Sequence, residues 1–330
     1  MRNIILLHDR AANLRFLVSG LEDKDFTVRL INNKSNKSDF LHWVKGCLIT
    51  LYKSEKNDVI ICWFDFQAII CWWMGLFLLR RRRIVAINLL LKDKGTVRNK
   101  VVSYMYKHAL KSKYLKATVT TQGYGNLLCQ KLGIDVKFSL LRDIYIQKEQ
   151  ESTLEDCGRT VFCGGNNGRD WKIAISVAER MKNTNFTFVV PPAIKRHLNN
   201  IPSNVCLYSS IPESEFDCLM KKCSVVFLPL DTNAPAGLIV MFKAAAFGKG
   251  VVTTGTPVTE EYFRDNRGLI GNSIEDYKNL IEILLSDITQ RKQMAFNFRN
   301  YLEVECSEEK YIKCIIGIIR KFEFERYSCK

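Results

Sequence analysis

Short apolar runs alternate with helical patterns along most of this 330-residue chain. In the first half, the runs at 2–7, 26–31, 58–63, 84–87 and 117–120 predict strands. Strands that are apolar throughout, and that are separated by helices, are typical of a parallel sheet covered on both faces. The pattern therefore predicts an α/β fold.

The alternation stops in one polar stretch that ends at Asp156, and then it restarts. A chain of this length has room for two domains that each bury a core of their own. We predict a Rossmann-like domain at 1–148, a linker at 149–156, a second Rossmann-like domain at 157–305 and a C-terminal helix at 306–330 that crosses back. Two such domains would have a ligand cleft between them, at the carboxyl ends of their strands.

In residues 235–262 a glycine-bearing turn, Ala236-Gly237-Leu238, opens an apolar helix that ends at Gly248. The N-terminus of a helix carries unpaired N–H groups and a partial positive charge, so this turn is suited to hold phosphate or sugar oxygens. An ordinary helix of a parallel α/β domain has the same pattern, and the turn alone leaves both interpretations open.

A second glycine turn reads Phe-Cys-Gly-Gly-Asn-Asn-Gly-Arg-Asp-Trp at residues 162–171. Gly164 and Gly165 allow a ligand to approach the backbone closely, because no Cβ intrudes. Arg169 is predicted at the start of the next helix, where its guanidinium could pair bidentately with a diphosphate. A surface ion pair between Arg169 and a carboxylate is the alternative.

With the segment at 204–215, these turns resemble the donor-binding half of two-domain glycosyltransferases of the GT-B fold, especially family 4. The resemblance covers about residues 150–270 and is carried by ordered segments rather than by one motif. It places Arg169 where the family has a diphosphate-binding Lys, and the loop at 209–212 where the backbone meets the base. Ser210 and Glu213 in that region are also suited to cap a helix.

The resemblance implies transfer of a sugar from a nucleotide-sugar donor to a glycan or lipid-linked acceptor in cell-surface polysaccharide synthesis, with no cofactor and no metal. Two alternatives stay open: a catalytically silent relative that acts as a binding or scaffold protein, and a nucleotide-sugar epimerase. The donor-binding residues that it implies are Gly164, Gly165, Arg169, Ser210, Pro212, Ala236, Gly237, Leu238 and Lys243.

Two positions depart from the family pattern. The family has two glutamates around the glycine turn, one on the donor sugar and one on the ribose, and here they fall on Pro235 and Lys243. An ammonium can donate hydrogen bonds but cannot accept them from a ribose. Lys243 could instead approach a phosphate, or it could be a solvated helix lysine.

For the acceptor side, we predict that His8 and Asp9 are catalytic. They follow the first strand directly, at the edge of the sheet that would face the cleft, and a His there could deprotonate an acceptor hydroxyl. A loop His that caps the next helix is the alternative. Residues 92–94 form a second charged cluster at a strand end, which a solvated loop also explains.

The chain has twelve cysteines and a formal net charge of +15. The cysteines form no Cys-x-x-Cys pair and mostly lie in apolar runs, so we expect buried free thiols rather than zinc ligands. The basic residues look spread out, apart from the run at 80–83. This charge favours an anionic partner; without a nucleic-acid-binding pattern, no nucleic acid is expected. No secretory signal is recognised, so a cytoplasmic protein is expected.

The apolar stretch at 59–79 is nearly as long as a membrane span, but Asp65 and Gln67 interrupt it. We predict a strand to Trp63 and then a helix at 66–79. A helix buried in the domain explains its composition. A helix at the inner face of an anionic membrane, with the arginines at 80–83 on the headgroups, explains it too. A true membrane span is the third interpretation, and all three stay open.

Overall fold

A computed structural model describes residues 2–8, 14–32, 40–91, 97–146, 157–198 and 200–327. The chain folds into two compact units, one formed by residues 1–144 with 307–330 and the other by residues 145–306. The predicted linker at 149–156 lies outside the described residues.

The first unit is a six-stranded parallel sheet in the order β2-β1-β3-β4-β5-β6. Its strands are β1 Arg2–His8, β2 Phe26–Asn32, β3 Val59–Cys62, β4 Arg83–Ala86, β5 Leu115–Val119 and β6 Ser139–Leu140. Its helices are α1 Arg15–Glu22, α2 Phe40–Lys53, α3 Asp65–Phe77, α4 Val97–Leu110 and α5 Gln122–Leu132, together with α13 Glu308–Tyr327 from the end of the chain.

The C-terminal helix α13 completes the core of this first unit. Tyr311, Ile315 and Ile319 are buried in one cluster with Leu17 and Leu21 of α1 and with the apolar residues of β1, β3 and β4. The last helix therefore covers one face of the first sheet, although it follows the whole second unit in sequence.

The second unit is also a six-stranded parallel sheet, in the order β12-β11-β10-β7-β8-β9. Its strands are β7 Thr160–Gly164, β8 Asn185–Val189, β9 Val205–Tyr208, β10 Val225–Leu228, β11 Gly250–Thr254 and β12 Leu269–Gly271. Its helices are α6 Trp171–Arg180, α7 Pro192–Lys195, α8 Glu213–Lys221, α9 Leu238–Ala246, α10 Thr259–Tyr262, α11 Ile274–Ser286 and α12 Ile288–Glu305.

These two sheets confirm the predicted α/β fold class. The central strands β3 and β10 are buried along their whole length, as continuous apolar runs predict. The strands β6 and β12 were not predicted, and they are only two and three residues long.

The predicted burial of the cysteines is correct for Cys62 and Cys71 but wrong for Cys206, which is exposed. Cys206 lies on β9, which is paired only with β8 and forms one edge of the second sheet. A residue that points outward from an edge strand stays in solvent, even within an apolar run. In the described part of the chain, no helix is both long and apolar enough to cross a bilayer.

Candidate functional site

In the second sheet the strand order reverses between β7 and β10. The chain runs from β7 outward to β8 and β9, and then returns to the other side of β7 as β10. In open parallel sheets, ligands bind beyond the carboxyl ends of the strands at such a reversal of strand order. The segments that follow β7 and β10 are the two glycine turns predicted from the sequence, and Arg169 bridges to Leu230 between them.

Arg169 is the residue on which the two turns converge. Its side chain is buried, with 6% of the residue exposed. Nε donates to the carbonyl of Gly164 at 3.0 Å, and Nη1 donates to the carbonyl of Asn167 at 3.2 Å. These bonds hold the guanidinium in one orientation and leave Nη2 without an acceptor among the residues the structure describes.

Two glycines make room for this guanidinium. A Cβ on Gly165 would lie 2.7 Å from Nη2, and a Cβ on Gly237 would lie 3.0 Å from Nη1. Both glycines have positive φ, at 128° and 79°, which other residues rarely adopt. Gly165 and Gly237, which are 72 positions apart in the sequence, therefore both leave space for the same guanidinium.

The first turn of α9 adds hydrogen-bond donors to this site. Its N-cap is Gly237, which offers no side-chain oxygen to the N–H groups that follow. The first N–H groups of a helix have no partner within the helix and carry its positive dipole end. Arg169 and α9 therefore present a fixed cation beside a helix N-terminus, an arrangement that matches an anionic group with several oxygens.

Burial lowers the pKa of Arg169 from its ordinary value, and the neighbouring Cys163 and Asp231 oppose that effect. The ordinary pKa of arginine is so high that the group stays protonated at neutral pH. One part of the prediction is corrected here: Arg169 is not on the helix, since α6 begins at Trp171 after its N-cap Asp170. The bridge to Leu230 holds Arg169 in an extended segment instead.

No family model and no curated protein matches the sequence. Among solved structures, HepE from Anabaena in complex with UDP and glucose is similar over 97% of this chain and 100% of that chain, with a TM-score of 0.71 and 12% identity. A glycosyltransferase from Rickettsia africae has a TM-score of 0.66 at 12% identity and covers 97% and 98% of the two chains. WaaG, a glycosyltransferase involved in lipopolysaccharide biosynthesis, has a TM-score of 0.65 at 14% identity and covers 97% and 99%. The chain has the GT-B fold.

The β9–α8 loop of this GT-B chain contains Ser210 and Pro212, which were predicted to contact the nucleobase of the donor. Ser210 is exposed and has a φ of 58°, which turns the backbone sharply. Pro212 is the N-cap of α8, and no side chain caps that helix, so the capping alternative is wrong for Ser210 and Glu213. The buried Oγ of Ser209 has no hydrogen-bond partner within the described ranges.

Lys243 of α9 is buried, with 5% of the residue exposed, and is not a solvated helix lysine. Its ammonium lies 2.6 Å from Oε1 of Glu213 and 2.7 Å from Oδ1 of Asp217, both on α8. Burial works to lower the pKa of Lys243, but the hydrogen bonds to Asp217 and Glu213 outweigh it and raise that pKa. Lys243 therefore joins α8 to α9, and it stays charged at neutral pH.

The sequence analysis did not identify Asp217 as a partner of Lys243. Glu213 and Asp217 are four residues apart on α8, so they share one face of that helix. Two like charges at that spacing destabilise a helix unless a cation lies between them. The spacing was a signal for a basic partner of α8, but it did not indicate that this partner would be Lys243.

Lys243→Glu is expected to give no gain in UDP affinity and to lower the melting temperature of the protein. The new carboxylate would lie at a buried position against Glu213 and Asp217 with no cation beside it, so the folded state should be destabilised. Differential scanning calorimetry and titration with UDP measure the two effects. Lys243→Met, which removes the charge but keeps most of the volume, is the matched control and should be milder. A clear rise in UDP affinity in Lys243→Glu would contradict the structural role.

In the first unit, His8 is the last residue of β1, at the reversal of strand order between β1 and β3. It is buried, with 3% exposed. The next helix, α1, has Leu14 as its N-cap and no side-chain cap, so His8 does not cap it. Asp9 and the cluster at 92–94 lie outside the described residues.

A polar cluster that the sequence analysis missed lies at the same edge of the first sheet. Asn88, which follows β4 with a φ of 35°, donates to Oδ1 of Asp143 at 2.8 Å. Asn88 also contacts Thr118 of β5 at 3.0 Å. Burial raises the pKa of Asp143 to about 6, although Asn88 and Arg142 oppose that effect. A raised pKa and a position at this edge make Asp143 a second candidate for a proton acceptor.

Neither unit, over the residues that the structure describes, has three or more His, Cys, Asp or Glu side chains placed to hold a metal ion. The sequence has one Asp-x-Asp triplet, a spacing found in many metal sites, at Asp23-Lys24-Asp25. The triplet is exposed in the turn before β2, at the amino end of that strand, and so lies on the edge opposite His8.

Proposed function

We propose that the protein is a glycosyltransferase that moves a sugar from a nucleotide-sugar donor to a glycan or lipid-linked acceptor in cell-surface polysaccharide synthesis. The observation that carries this proposal is the guanidinium of Arg169, held between two glycine turns beside the N-terminus of α9. HepE, which has the same fold, has been crystallised with UDP and with UDP-glucose, and this supports a nucleotide-sugar donor.

In the proposed reaction, the bond between the anomeric carbon and the diphosphate oxygen breaks, and the diphosphate takes the electron pair. Arg169 and the first N–H groups of α9 stabilise the negative charge that develops there. Because these groups are fixed before the reaction, no reorganisation is needed when the charge appears. We propose that they, rather than a divalent metal ion, neutralise the leaving group.

The acceptor hydroxyl forms the new bond to the anomeric carbon and loses its proton to a base. We propose His8 for this role, with Asp9 beside it, since His8 ends the central strand at the reversal of the first sheet. The backbone of the loop at 209–212, including Ser210 and Pro212, contacts the base of the donor. Ala236, Gly237 and Leu238 contact the diphosphate and the sugar.

A catalytically silent relative is the second candidate. It is favoured by Pro235 and Lys243, which lack the carboxylates of the family pattern, and by the pairing of Lys243 with Glu213 and Asp217. Such a protein would bind a nucleotide sugar without transferring the sugar. A nucleotide-sugar epimerase would change the donor without any acceptor, so product analysis with and without acceptor separates the three.

The proposal includes a cytoplasmic location, peripheral on the inner face of a membrane, where a lipid-linked acceptor would be met. The end of α3 supports it, because its last residue, Phe77, and the two residues that follow, Leu78 and Leu79, are apolar and exposed. The buried-helix interpretation of α3 holds for its first half, where Ala68, Ile69 and Cys71 are buried, but not for its C-terminal end.

The test of the donor proposal is a thermal-shift screen of nucleoside diphosphates and nucleotide sugars. A ligand that binds only the folded state stabilises it, by about 2.7 kcal/mol at a concentration of 100 times its Kd. We expect at least one nucleoside diphosphate, such as UDP, to raise the melting temperature of the protein. If no nucleotide does so, the proposed donor site is wrong.

A further inference from the structure

The first unit has an apolar segment in solvent where α3 ends. Phe77, Leu78 and Leu79 are 75%, 50% and 89% exposed. Single exposed apolar residues are normal on a soluble protein, but three consecutive large ones are not. Leu79 has a φ of 54°, and the N–H of Arg80 donates to the carbonyl of Gly75 at 2.8 Å. The segment is thus fixed by the end of the helix.

The topology brings the C-terminal ends of three helices to the same edge of the first sheet. Each of α2, α3 and α4 returns the chain from the carboxyl end of one strand to the amino end of the next parallel strand. Their C-termini therefore meet at the amino-terminal edge of the first sheet, opposite His8. Tyr52 at the end of α2 is 80% exposed there, and His108 near the end of α4 is exposed too.

Aromatic rings continue this surface from α3 to α4. Trp73 stacks on Phe77, with ring centroids 5.8 Å apart, and on Tyr104, with centroids 6.4 Å apart. Its indole N–H donates to the carbonyl of Met105 at 3.2 Å. Tryptophan and tyrosine with one polar end satisfied are the side chains that favour the interface between headgroups and hydrocarbon.

The arginine run supplies less free charge than the sequence analysis assumed. Arg80 contacts the carbonyls of Leu51 and Tyr52 at 3.4 Å, and Arg82 donates to Ser54 at 2.9 Å. These two arginines therefore donate hydrogen bonds at the C-terminal end of α2. Arg81 is exposed, and its guanidinium has no partner among the described residues.

The charge of the protein is concentrated rather than spread out. Residues 66–134 contain thirteen Lys and Arg residues and a single acidic residue, while the other 261 residues contain 36 basic and 33 acidic ones. At the amino ends of β5 and β6, a cavity of about 360 Å³ is lined by several lysines: Lys111, Lys113, Lys116, Lys137 and Lys321. The part of the amino-terminal edge beside the ends of α3 and α4 is therefore rich in basic residues, with Asp135 as the acidic residue of the cavity, whereas the amino end of β2 carries the exposed Asp23 and Asp25.

We propose that this edge docks on an anionic phospholipid bilayer, with Phe77–Leu79 at the boundary of headgroups and acyl chains and with Arg81, Lys111 and Lys113 at the lipid phosphates. The apolar segment favours a bilayer over nucleic acid. Nucleic acid would be bound by the basic residues alone, whereas a bilayer also takes up exposed apolar side chains. The inference rests on the membrane location in the proposed function but not on donor binding, so the two can fail separately.

The test is sedimentation of the full-length protein with vesicles of phosphatidylcholine alone and of phosphatidylcholine with phosphatidylglycerol. We expect binding only to the anionic vesicles, and weaker binding at high salt. Changing Arg81, Lys111 and Lys113 to Gln should lower the partition coefficient by about fivefold per charge, or about 100-fold in all. Leu78→Ser with Leu79→Ser should also lower it, by about tenfold or more.

The controls lie in the second unit: Lys172→Gln with Lys182→Gln and Lys292→Gln for the three charges, and Val304→Ser for an exposed apolar residue. They should bind vesicles like the unchanged protein, and all variants should keep its UDP affinity. No binding to anionic vesicles, equal binding to neutral ones, or unchanged binding by the two docking variants would overturn the proposal. Binding of duplex RNA at a salt concentration where vesicles do not bind would replace it with a nucleic-acid surface.

Discussion

Replacing Arg169 with alanine is expected to weaken UDP binding by about 10- to 150-fold. This range corresponds to about 1.5–3 kcal/mol, the contribution of a hydrogen bond to a charged group. The structure places the value toward the upper end, because the guanidinium is desolvated before the ligand arrives and is already oriented by Gly164 and Asn167. Isothermal titration calorimetry with UDP measures the change.

Two further variants make this experiment specific. Arg180→Ala removes an exposed arginine of the same unit, paired with Glu275 at 3.7 Å, and should leave UDP affinity unchanged. Arg169→Lys keeps the charge but loses the bidentate geometry and the bond from Nε to Gly164, so it should recover only part of the affinity. Equal UDP affinity in Arg169→Ala and the unchanged protein would remove Arg169 from the donor site.

Replacing His8 with alanine is expected to lower the turnover rate by about 100-fold or more, with the Kd for UDP unchanged. Loss of a general base costs a factor of that size, and His8 lies in the first unit while the proposed diphosphate site lies entirely in the second. The experiment measures initial rates with the donor found in the thermal-shift screen.

His197→Ala in the second unit is the control for His8 and should keep full turnover. Asp9→Ala is expected to lower turnover as well, since Asp9 directly follows His8 in the chain. If both His8 and Asp9 can be replaced without loss, the base is elsewhere, and Asp143 with its raised pKa becomes the next residue to change. A loss of UDP binding in His8→Ala would instead indicate a defect of folding.

Much of the fold follows from the sequence because both sheets are parallel and buried. Strands such as β3 and β10 read as unbroken apolar runs, and the order of runs and helices then limits the topology. β6 and β12 could not be predicted in this way, because strands of two or three residues are too short to show a hydrophobic pattern. Their pairing is set by β5 and β11, to which they hydrogen-bond.

The candidate site was predicted in its parts but not in its arrangement. The sequence shows that Gly165 and Gly237 open turns, yet only the order of strands brings both against Arg169. Lys243 shows more clearly which contacts cannot be predicted from the sequence. Its burial depends on Glu213 and Asp217, which lie on another helix, and no local pattern around Lys243 indicates such a contact.

The position of α13 has a consequence for the order in which the protein can fold during synthesis. When the ribosome has released residues 1–144, the core that should receive Tyr311, Ile315 and Ile319 is still open on one face. The second unit is one continuous stretch, residues 145–306, and can close as soon as it emerges. The core of the first unit is therefore completed only after the second unit has been made, and its apolar face stays uncovered while residues 145–306 are translated.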